Sequence, residues 1–406
     1  MSDKRKKTLL LLGGSTAQLI AIKKAKELGY RTIVCDYLQD NPGQFIADSF
    51  YLASTTDKET ILEIAKKERI DGIVAYSSDP AAPTAAYVAN KLNLQGLEYE
   101  IACKFCEKQK FRKFLKDNGF NVPKSISVKT PFELGKIDIS GLSFPIIVKP
   151  TDSSGSKGVT ILENKDGLEN ALEYAKIYSR NGTLIIEEFI RRDHPHVIEA
   201  EIFAVNGKVV SWGLINSIRD NASNPLLPAA YSYPLELDDN RKQIVRNEIS
   251  RLVSSTGKTS GAFNIEMIID KNNHLFFLDA GPRNGGNMLP EYISMISGKD
   301  IVAATLKNAM GEIDNLDVEL DGISGGFWGL GVLHSSTEGY FIGIDYSELA
   351  KKSLVRECIQ KNNGEMVHSF QRCNDLVGLN FYHFSTKEDM DRVMCNLNDS
   401  MRVMLK

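Results

Sequence analysis

Cysteine is scarce in this chain, which has six among its 406 residues. Cys103 and Cys106 form a single C-x-x-C motif with no second pair, so we expect ordinary reduced thiols rather than a zinc or redox site. Long apolar runs are also missing, and none is long enough to span a bilayer. The net charge of −3 gives no argument for a nucleic-acid or membrane partner. These absences predict a cytoplasmic protein with neither kind of partner.

The chain is too long for a single core, and its patterns fall into three successive parts. Strands alternate with helices over the first hundred residues, as in a parallel, doubly wound sheet. An amphipathic helix over 108–118 then ends at Gly119 and marks a new domain. We predict domains at 1–105, 106–312 and 313–406, with a mobile lid subdomain at about 122–186.

A glycine-rich turn lies at the end of the first predicted strand. Gly13-Gly14-Ser15 follows that strand, and Asp36 follows the second strand, as in a dinucleotide site. However, the third glycine of G-x-G-x-x-G is missing. The turn could equally hold an acidic small substrate at a helix N-terminus. An NAD-dependent oxidoreductase is therefore a disfavoured alternative.

The most informative stretch is a loop of glycine, serine and lysine between two apolar segments. Residues 146–148 lead to Lys149, and Lys157 stands between Gly155 and Gly158. Glycine and serine let backbone N–H groups point into one concavity, and such nests bind anions. The lysines add point charges that suit phosphate. The stretch predicts a phosphate-binding loop, with a solvated hairpin turn as the alternative.

Two acidic residues mark a second apolar hairpin. Strands are predicted over 263–269 and 275–278, around an Asn-Asn turn at 272–273. If the turn is symmetric, Glu266 lies directly across from Asp279. Opposed carboxylates repel each other unless one is protonated or a cation lies between them. Because Mg²⁺ prefers oxygen ligands, the pair predicts a magnesium site, with two solvated acids as the alternative.

Two further features flank this hairpin. Arg283 follows Asp279 by four residues, and an arginine beside a metal–phosphate site can hold a developing oxyanion. A surface arginine is the alternative. Residues 219–233 are predicted to form a polar loop, because Pro225 and Pro228 break regular structure. Loops of this length are often lids or substrate loops.

Taken in this order, these pieces resemble the ATP-grasp superfamily over about residues 105–310. They look most like the branch with biotin carboxylase, carbamoyl phosphate synthetase, glycinamide ribonucleotide synthetase and the carboxylate–amine ligases. The resemblance implies an α/β and α+β fold: an N-terminal Rossmann-like parallel sheet, an ATP-grasp central domain and a small C-terminal α+β domain. It also implies ATP and Mg²⁺ (or Mn²⁺) as cofactors, small-molecule acid and amine substrates, and a homodimer.

The resemblance assigns nucleotide binding to particular positions. Lys108 matches the lysine that opens the helix before the ATP-binding subdomain, and Lys149 matches the lysine that contacts phosphates and adenine. The residue that holds the ribose stays open among His196, Glu199 and Glu201. The other positions assigned to ATP binding lie in the loop and in the adenine hinge: Ser153, Ser154, Gly155, Ser156, Gly158, Glu187, Glu188, Phe189 and Ile190.

The resemblance also assigns metal binding and catalysis. Glu266 and Asp279 match the metal ligands, although aspartate replaces glutamate and Gly281 replaces an asparagine ligand. A ligand could shift to Asn287 or to water, so the number of bound magnesium ions is open. The catalytic positions by resemblance are Arg283 and Lys157.

The implied activity is ATP-dependent ligation. A substrate carboxylate becomes an acyl phosphate, an amine attacks it, and ADP and phosphate are released. An enzyme of the phosphoribosylglycinamide synthetase type, or one that activates bicarbonate to make carbamoyl phosphate, is the alternative within this class. A non-catalytic nucleotide-binding module is the alternative from another class, because Asp279 and Gly281 depart from the family pattern.

Overall fold

A parallel sheet forms the first part of the chain in the computed structural model, which describes residues 5–153, 155–312, 318–319 (backbone only) and 326–406. The strand order is β3-β2-β1-β4. All five residues of the first strand are buried, as expected when helices cover both faces. The strands are β1 (Thr8–Leu12), β2 (Arg31–Asp36), β3 (Ser49–Leu52) and β4 (Gly72–Val74). The helices are α1 (Leu19–Glu27), α2 (Lys58–Glu68), α3 (Ala82–Lys91), α4 (Tyr99–Cys106) and α5 (Lys108–Asp117).

A small antiparallel sheet comes next, in the order β5-β8-β6-β7. One helix, α6 (Leu168–Ile177), buries Ala171, Leu172 and Ala175, which follow a helical spacing. The strands of this small sheet are β5 (Ser125–Lys129), β6 (Ile146–Pro150), β7 (Thr160–Leu162) and β8 (Thr183–Glu188).

A large, mostly antiparallel sheet organises the rest of the described chain. Its main path runs β13-β12-β9-β10-β11-β15-β19-β17, with β14 beside β10, and a separate sheet joins β18, β16 and β20. The strands are β9 (Val197–Val205), β10 (Lys208–Asp220), β11 (Asn224–Tyr233), β12 (Gly261–Ile269), β13 (Leu275–Gly281), β14 (Val318–Glu319), β15 (Phe327–Leu333), β16 (Gly339–Tyr346), β17 (Leu354–Ile359), β18 (Met366–Val367), β19 (Gly378–Phe384) and β20 (Met401–Leu405). The helices are α7 (Asp239–Ser254), α8 (Leu289–Ser297), α9 (Ile301–Ala309), α10 (Glu348–Ser353), α11 (Lys387–Met394) and α12 (Leu397–Ser400).

The largest apolar core fixes α5 against the large sheet. Phe105, Phe111 and Phe263 are each at most 2% exposed and pack in one cluster. The ring centroids of Phe105 and Phe263 lie 5.8 Å apart, within the range of favourable aromatic pairs. This packing fixes the first residue of α5, Lys108, beside the end of β13.

The predicted fold class is confirmed, because a parallel sheet precedes large antiparallel sheets. None of the described helices is long and apolar enough to cross a membrane. The domain boundaries stay a prediction, and residues 313–317 at the last of them lie outside the described residues. Sequence reasoning did not predict β3 as a separate element.

The predicted polar loop over 219–233 is wrong. β10 continues to Asp220, and β11 begins at Asn224, so a tight connection joins two long strands. Pro225 lies at the end of the ladder, and Pro228 pairs with Arg219 at a register irregularity. Proline is tolerated in strands at such places because no ladder N–H is needed there.

Removal of the Phe263 ring tests the packing of this core. We expect Phe263→Ala to lower the free energy of unfolding by about 3–5 kcal/mol, because a buried cavity replaces the ring. Chemical denaturation of the full chain measures the change. Phe45→Ala is the matched control, since Phe45 is 80% exposed and its loss should change stability by less than about 0.5 kcal/mol. Equal effects of the two variants would contradict the described core.

Candidate active site

A cavity of about 600 Å³ lies between the small sheet and the β12–β13 face of the large sheet. Its size suits a small-molecule ligand. Four acidic side chains line it among the described residues: Glu187, Glu188, Glu266 and Asp279. Seven basic side chains line it: Lys108, Arg112, Lys149, Lys157, Arg191, Arg192 and Arg219. The excess of basic groups favours an anionic ligand.

The glycine-rich loop covers one side of this cavity. Gly155 and Ser156 have φ of 66° and 55°, so two successive residues adopt the left-handed conformation and the chain turns sharply here. The hydroxyl of Ser156 donates to the carbonyl of Leu226 at 3.1 Å, and Lys108 Nζ donates to the carbonyl of Ser153 at 3.1 Å. The loop therefore lies closed against β11 and α5. Ser154, predicted to bind ATP, lies outside the described residues.

A buried trio of charges supports the cavity floor. Glu187 is 3% exposed and accepts from Arg112 Nε at 3.0 Å through Oε2 and from Arg112 Nη2 at 3.1 Å through Oε1, and Lys149 Nζ also contacts Oε1. Burial alone would raise the pKa of Glu187, but the charges of Arg112 and Lys149 hold it at about 2. Glu187 therefore fixes two cations at the cavity, and its predicted place in the adenine hinge stays a prediction.

The acidic pair is where the sequence predicted it. Glu266 on β12 pairs directly with Asp279 on β13. The predicted turn centre between Asn272 and Asn273 is wrong, however, because Ile269 pairs with Leu275 and centres the turn on Asn272, which shifts the pairing register by one residue. A bulge that leaves Leu278 unpaired corrects the register before Glu266 is reached.

Each of the two opposed acids forms an ion pair with a basic side chain of the protein. Lys108 Nζ lies 3.0 Å from Asp279 Oδ2, and Arg219 Nη2 lies 3.1 Å from Glu266 Oε1. Glu199 is opposite Glu266 on the next strand, β9, and its Oε2 is buried without a hydrogen-bond partner among the described residues. Burial, together with the charge of Glu266, raises the pKa of Glu199 well above its usual value.

These acids fit a magnesium ion. The set contains carboxylate oxygens only, and the orphaned oxygen of Glu199 lies beside the pair with no hydrogen-bond partner among the described residues. Within the described ranges, no group of three or more His, Cys, Asp or Glu side chains is arranged as a complete metal site. A magnesium ion held by Glu266 and Asp279 would therefore complete its shell with water and substrate phosphates.

Arg283 is held away from the cavity. Its Nη2 pairs with Asp79, and its Nη1 donates to Asn264 Oδ1 at 3.1 Å. It is absent from the described cavity lining. Gly281 is needed beside this pair, since a Cβ there would lie 2.4 Å from Asp79 Oδ1 and 2.7 Å from Arg283 Cζ. The glycine thus makes room for an ion pair between the first part of the chain and the segment that follows β13. The catalytic role of Arg283 stays a prediction.

The predicted hinge and ribose positions divide into two groups. Glu188, Phe189 and Ile190 line the cavity, and the Glu188 carboxylate accepts from the Ser143 backbone N–H at 2.8 Å. The three ribose candidates, His196, Glu199 and Glu201, are absent from the described lining. His194 lines it instead and accepts from the Ile269 N–H at 3.0 Å through Nε2. The ribose assignment therefore stays a prediction.

The other predicted residues that line the cavity are Lys108, Lys149, Ser153, Gly155, Ser156 and Lys157. Gly158 packs against Tyr178.

The N-terminal glycine turn is filled by its own chain. The Asp36 carboxylate is buried and accepts from the N–H groups of Gly14 at 2.7 Å and Leu38 at 2.9 Å. Gly43 lies against the turn so closely that a Cβ on it would be 2.7 Å from Gly14 Cα. A pyrophosphate and a ribose would need these groups, so the geometry disfavours an NAD site.

Sequence reasoning missed Arg112 and Asp79 and gave Arg219 no role at the site. Arg112 lies beside Phe111 and Leu115 on the buried face of α5, and a charge on an apolar face was the available signal. Asp79 and Arg219 gave no comparable signal, because their partners are distant in sequence.

Similarity to known proteins extends over this site. The carbamoyl phosphate synthase large chain of Pseudothermotoga lettingae is 25% identical over 335 residues, which is 76% of this chain and 29% of that protein. The chain thus spans less than a third of the length of the large chains it matches.

Two solved structures share the fold over nearly the whole chain. The L-amino acid ligase from Bacillus licheniformis has a TM-score of 0.82 at 21% identity, covering 99% of this chain and 100% of that one. The phosphoribosylglycinamide synthetase from Anaerococcus prevotii has a TM-score of 0.75 at 22% identity, with the same coverage. The fold therefore includes the first and last parts of the chain as well as the cavity.

The charge on Glu187 predicts a pH dependence of stability. Its pKa of about 2 lies below the usual value of 4.5, so its contribution is present above pH 4.5 and is lost as pH falls toward 2. In unfolding measurements over that window, the wild type should lose on the order of 3 kcal/mol more than Glu187→Gln. Glu173→Gln, at a half-exposed position, is the control, and its free energy of unfolding should depend on pH as that of the wild type does. Parallel curves for all three proteins would contradict the buried ion pairs.

The family assignment follows from the extent of the match. The profile of the family described as carbamoyl-phosphate synthase L chain, ATP binding domain, matches residues 107–316, just over half of the chain. That range contains the glycine-rich loop, the Glu187 trio and the opposed acids. The chain therefore belongs to this ATP-binding family of the ATP-grasp superfamily.

Proposed function

We propose that this protein is an ATP-dependent ligase that activates a substrate carboxylate as an acyl phosphate for attack by an amine. The observation that carries the proposal is the opposed pair Glu266 and Asp279. Each acid is paired with a cation, and both face a basic cavity under a glycine-rich loop. Similarity of fold to ligases supports the same chemistry.

The basic residues of the cavity would position the phosphates. Lys108 and Lys149 have side chains at most 14% exposed, and each is held by a carboxylate, so their ammonium groups are already placed before a ligand arrives. Such preorganisation lowers the cost of aligning the γ-phosphate with a carboxylate oxygen. Bound at Glu266 and Asp279, Mg²⁺ would neutralise phosphate charge.

The glycine-rich loop would exclude water from the reaction. An acyl phosphate is hydrolysed by water, so a ligase needs a closed site during transfer to the amine. The contacts of Ser156 with Leu226 and of Lys108 with Ser153 hold the loop in such a closed position. Lys157, in the same loop, lines the cavity and would contact the transferring phosphate.

A phosphoribosylglycinamide synthetase activity is the second candidate. The fold similarity to the synthetase from Anaerococcus prevotii extends over the whole chain and favours it. It would still be an ATP-dependent carboxylate–amine ligation, in which glycine is the acid and a phosphosugar amine is the nucleophile. The two candidates differ in the amine, so a substrate panel separates them.

Substrate-dependent ADP release tests the proposal. The protein is incubated with ATP and Mg²⁺ and with pairs from a panel of amino acids, other carboxylic acids, bicarbonate and phosphoribosylamine. We expect ADP and phosphate in equal amounts with an acid and an amine, and an amide as product. Bicarbonate-dependent release would instead promote the carbamoyl phosphate alternative. Nucleotide binding without turnover across the whole panel would contradict the ligase proposal and favour a non-catalytic module.

Loss of one of the opposed acids should abolish turnover without loss of the fold. We expect Glu266→Gln to lower kcat at least about 100-fold, because a ligand of the metal that neutralises phosphate charge is removed. Glu63→Gln, changed at an exposed residue of α2, should keep the wild-type rate. Circular dichroism checks that both variants are folded. A Glu266→Gln variant with wild-type kcat would exclude this acid from the reaction.

A further inference from the structure

Arg219 is a buried cation that sequence reasoning left without a role. It lies near the end of β10, where the register shifts on both sides of it and its partner on β11 is Pro228. Such irregularities re-aim a side chain relative to a regular ladder. Its side chain is 8% exposed and lines the cavity beside Glu266.

The guanidinium has more donors than the protein satisfies. Nη2 donates to Glu266 Oε1 at 3.1 Å, and Nη1 is buried without a hydrogen-bond partner among the described residues. A buried donor left unpaired is costly, so it is usually explained by a ligand or a water. By contrast, Lys108, Lys149 and Arg112 are each held by the carboxylate of Asp279 or Glu187.

Besides the carboxylates of Glu266 and Glu199, polar side chains lie near Arg219. Tyr231 lies close enough for its phenol to interact with the Arg219 charge, and its hydroxyl accepts from Asn287 Nδ2 at 3.2 Å. Cys373 is also near Arg219, at the place where Gly155 of the glycine-rich loop makes contact. The unpaired Nη1 donor among these groups suits an anionic oxygen of a ligand.

From this geometry we infer that Arg219 binds the carboxylate of the acid substrate, the group that becomes phosphorylated. The inference rests on the proposed function and names a specificity residue for it. A guanidinium presents two parallel N–H groups that match the two oxygens of a carboxylate. Because Arg219 contacts Glu266, a carboxylate held on its free side would lie next to the metal and phosphate position. A phosphate group has the same hydrogen-bonding chemistry, so the test must separate the two.

Steady-state kinetics of two Arg219 variants provide that test. We expect Arg219→Lys, which keeps the charge but loses the fork, to raise KM for the acid at least about 10-fold, while KM for ATP changes less than about 2-fold. Arg219→Gln should raise KM for the acid further. Arg251→Lys, at a half-exposed site on α7, is the matched control and should keep both KM values. A rise in KM for ATP alone, or no change in KM for the acid, would overturn the inference.

A binding experiment separates failure of this inference from failure of the proposed function. If the wild type turns over no acid, the ligase proposal fails, and thermal shifts with Mg²⁺ and a non-hydrolysable ATP analogue then judge Arg219. The probes are acetate, alanine and inorganic phosphate. Stabilisation of the wild type by acetate or alanine, lost in Arg219→Gln, supports carboxylate binding. Three results would overturn the inference. They are equal shifts of melting temperature in the wild type and Arg219→Gln, no shift with acetate or alanine, and a shift that depends on Arg219 with phosphate alone.

Discussion

The repulsion between two carboxylates on opposed strand positions is the interaction on which the arrangement of charges in this cavity depends. Glu266 and Asp279 occupy directly opposed positions on neighbouring strands, and Glu199 follows Glu266 across the next strand pair. Like charges at this spacing are destabilising unless cations or protons compensate them. The protein supplies Lys108 and Arg219, one for each of the paired acids. A metal ion would take over part of this compensation and free both cations for phosphate and substrate.

The positions of those cations depend on packing at some distance from the cavity. Lys108 opens a helix whose buried face is fixed by Phe111 in the main core, and the same helix buries Arg112 against Glu187. Glu187 in turn contacts Lys149 at the start of the glycine-rich loop. Three separate chain segments are therefore tied together by one buried carboxylate. This arrangement couples the glycine-rich loop to the large sheet, since Arg112 also donates to the carbonyls of Phe277 and Leu278 on β13.

Local patterns could be predicted from the sequence, and long-range partners could not. The pairing of Glu266 with Asp279 could be predicted because both residues lie in one short hairpin, although the pairing depends on a bulge at Leu278. The phosphate-type loop was recognisable because glycine, serine and lysine were adjacent in the chain. The direction of Arg283 was not predictable, because its partner Asp79 belongs to the first part of the chain. The long strands around residues 219–233 were missed because a strand that contains prolines at a bulge resembles a loop in its amino-acid composition.

In the proposed reaction, a phosphoryl group passes to the substrate carboxylate before the amine attacks. Transfer of ¹⁸O from a labelled acid tests it most directly, with an acid that supports ADP release, together with its amine. We expect one ¹⁸O atom in each inorganic phosphate released and none in ADP, because the acyl phosphate breaks between carbonyl carbon and oxygen. Phosphate without label, or label in AMP, would contradict it.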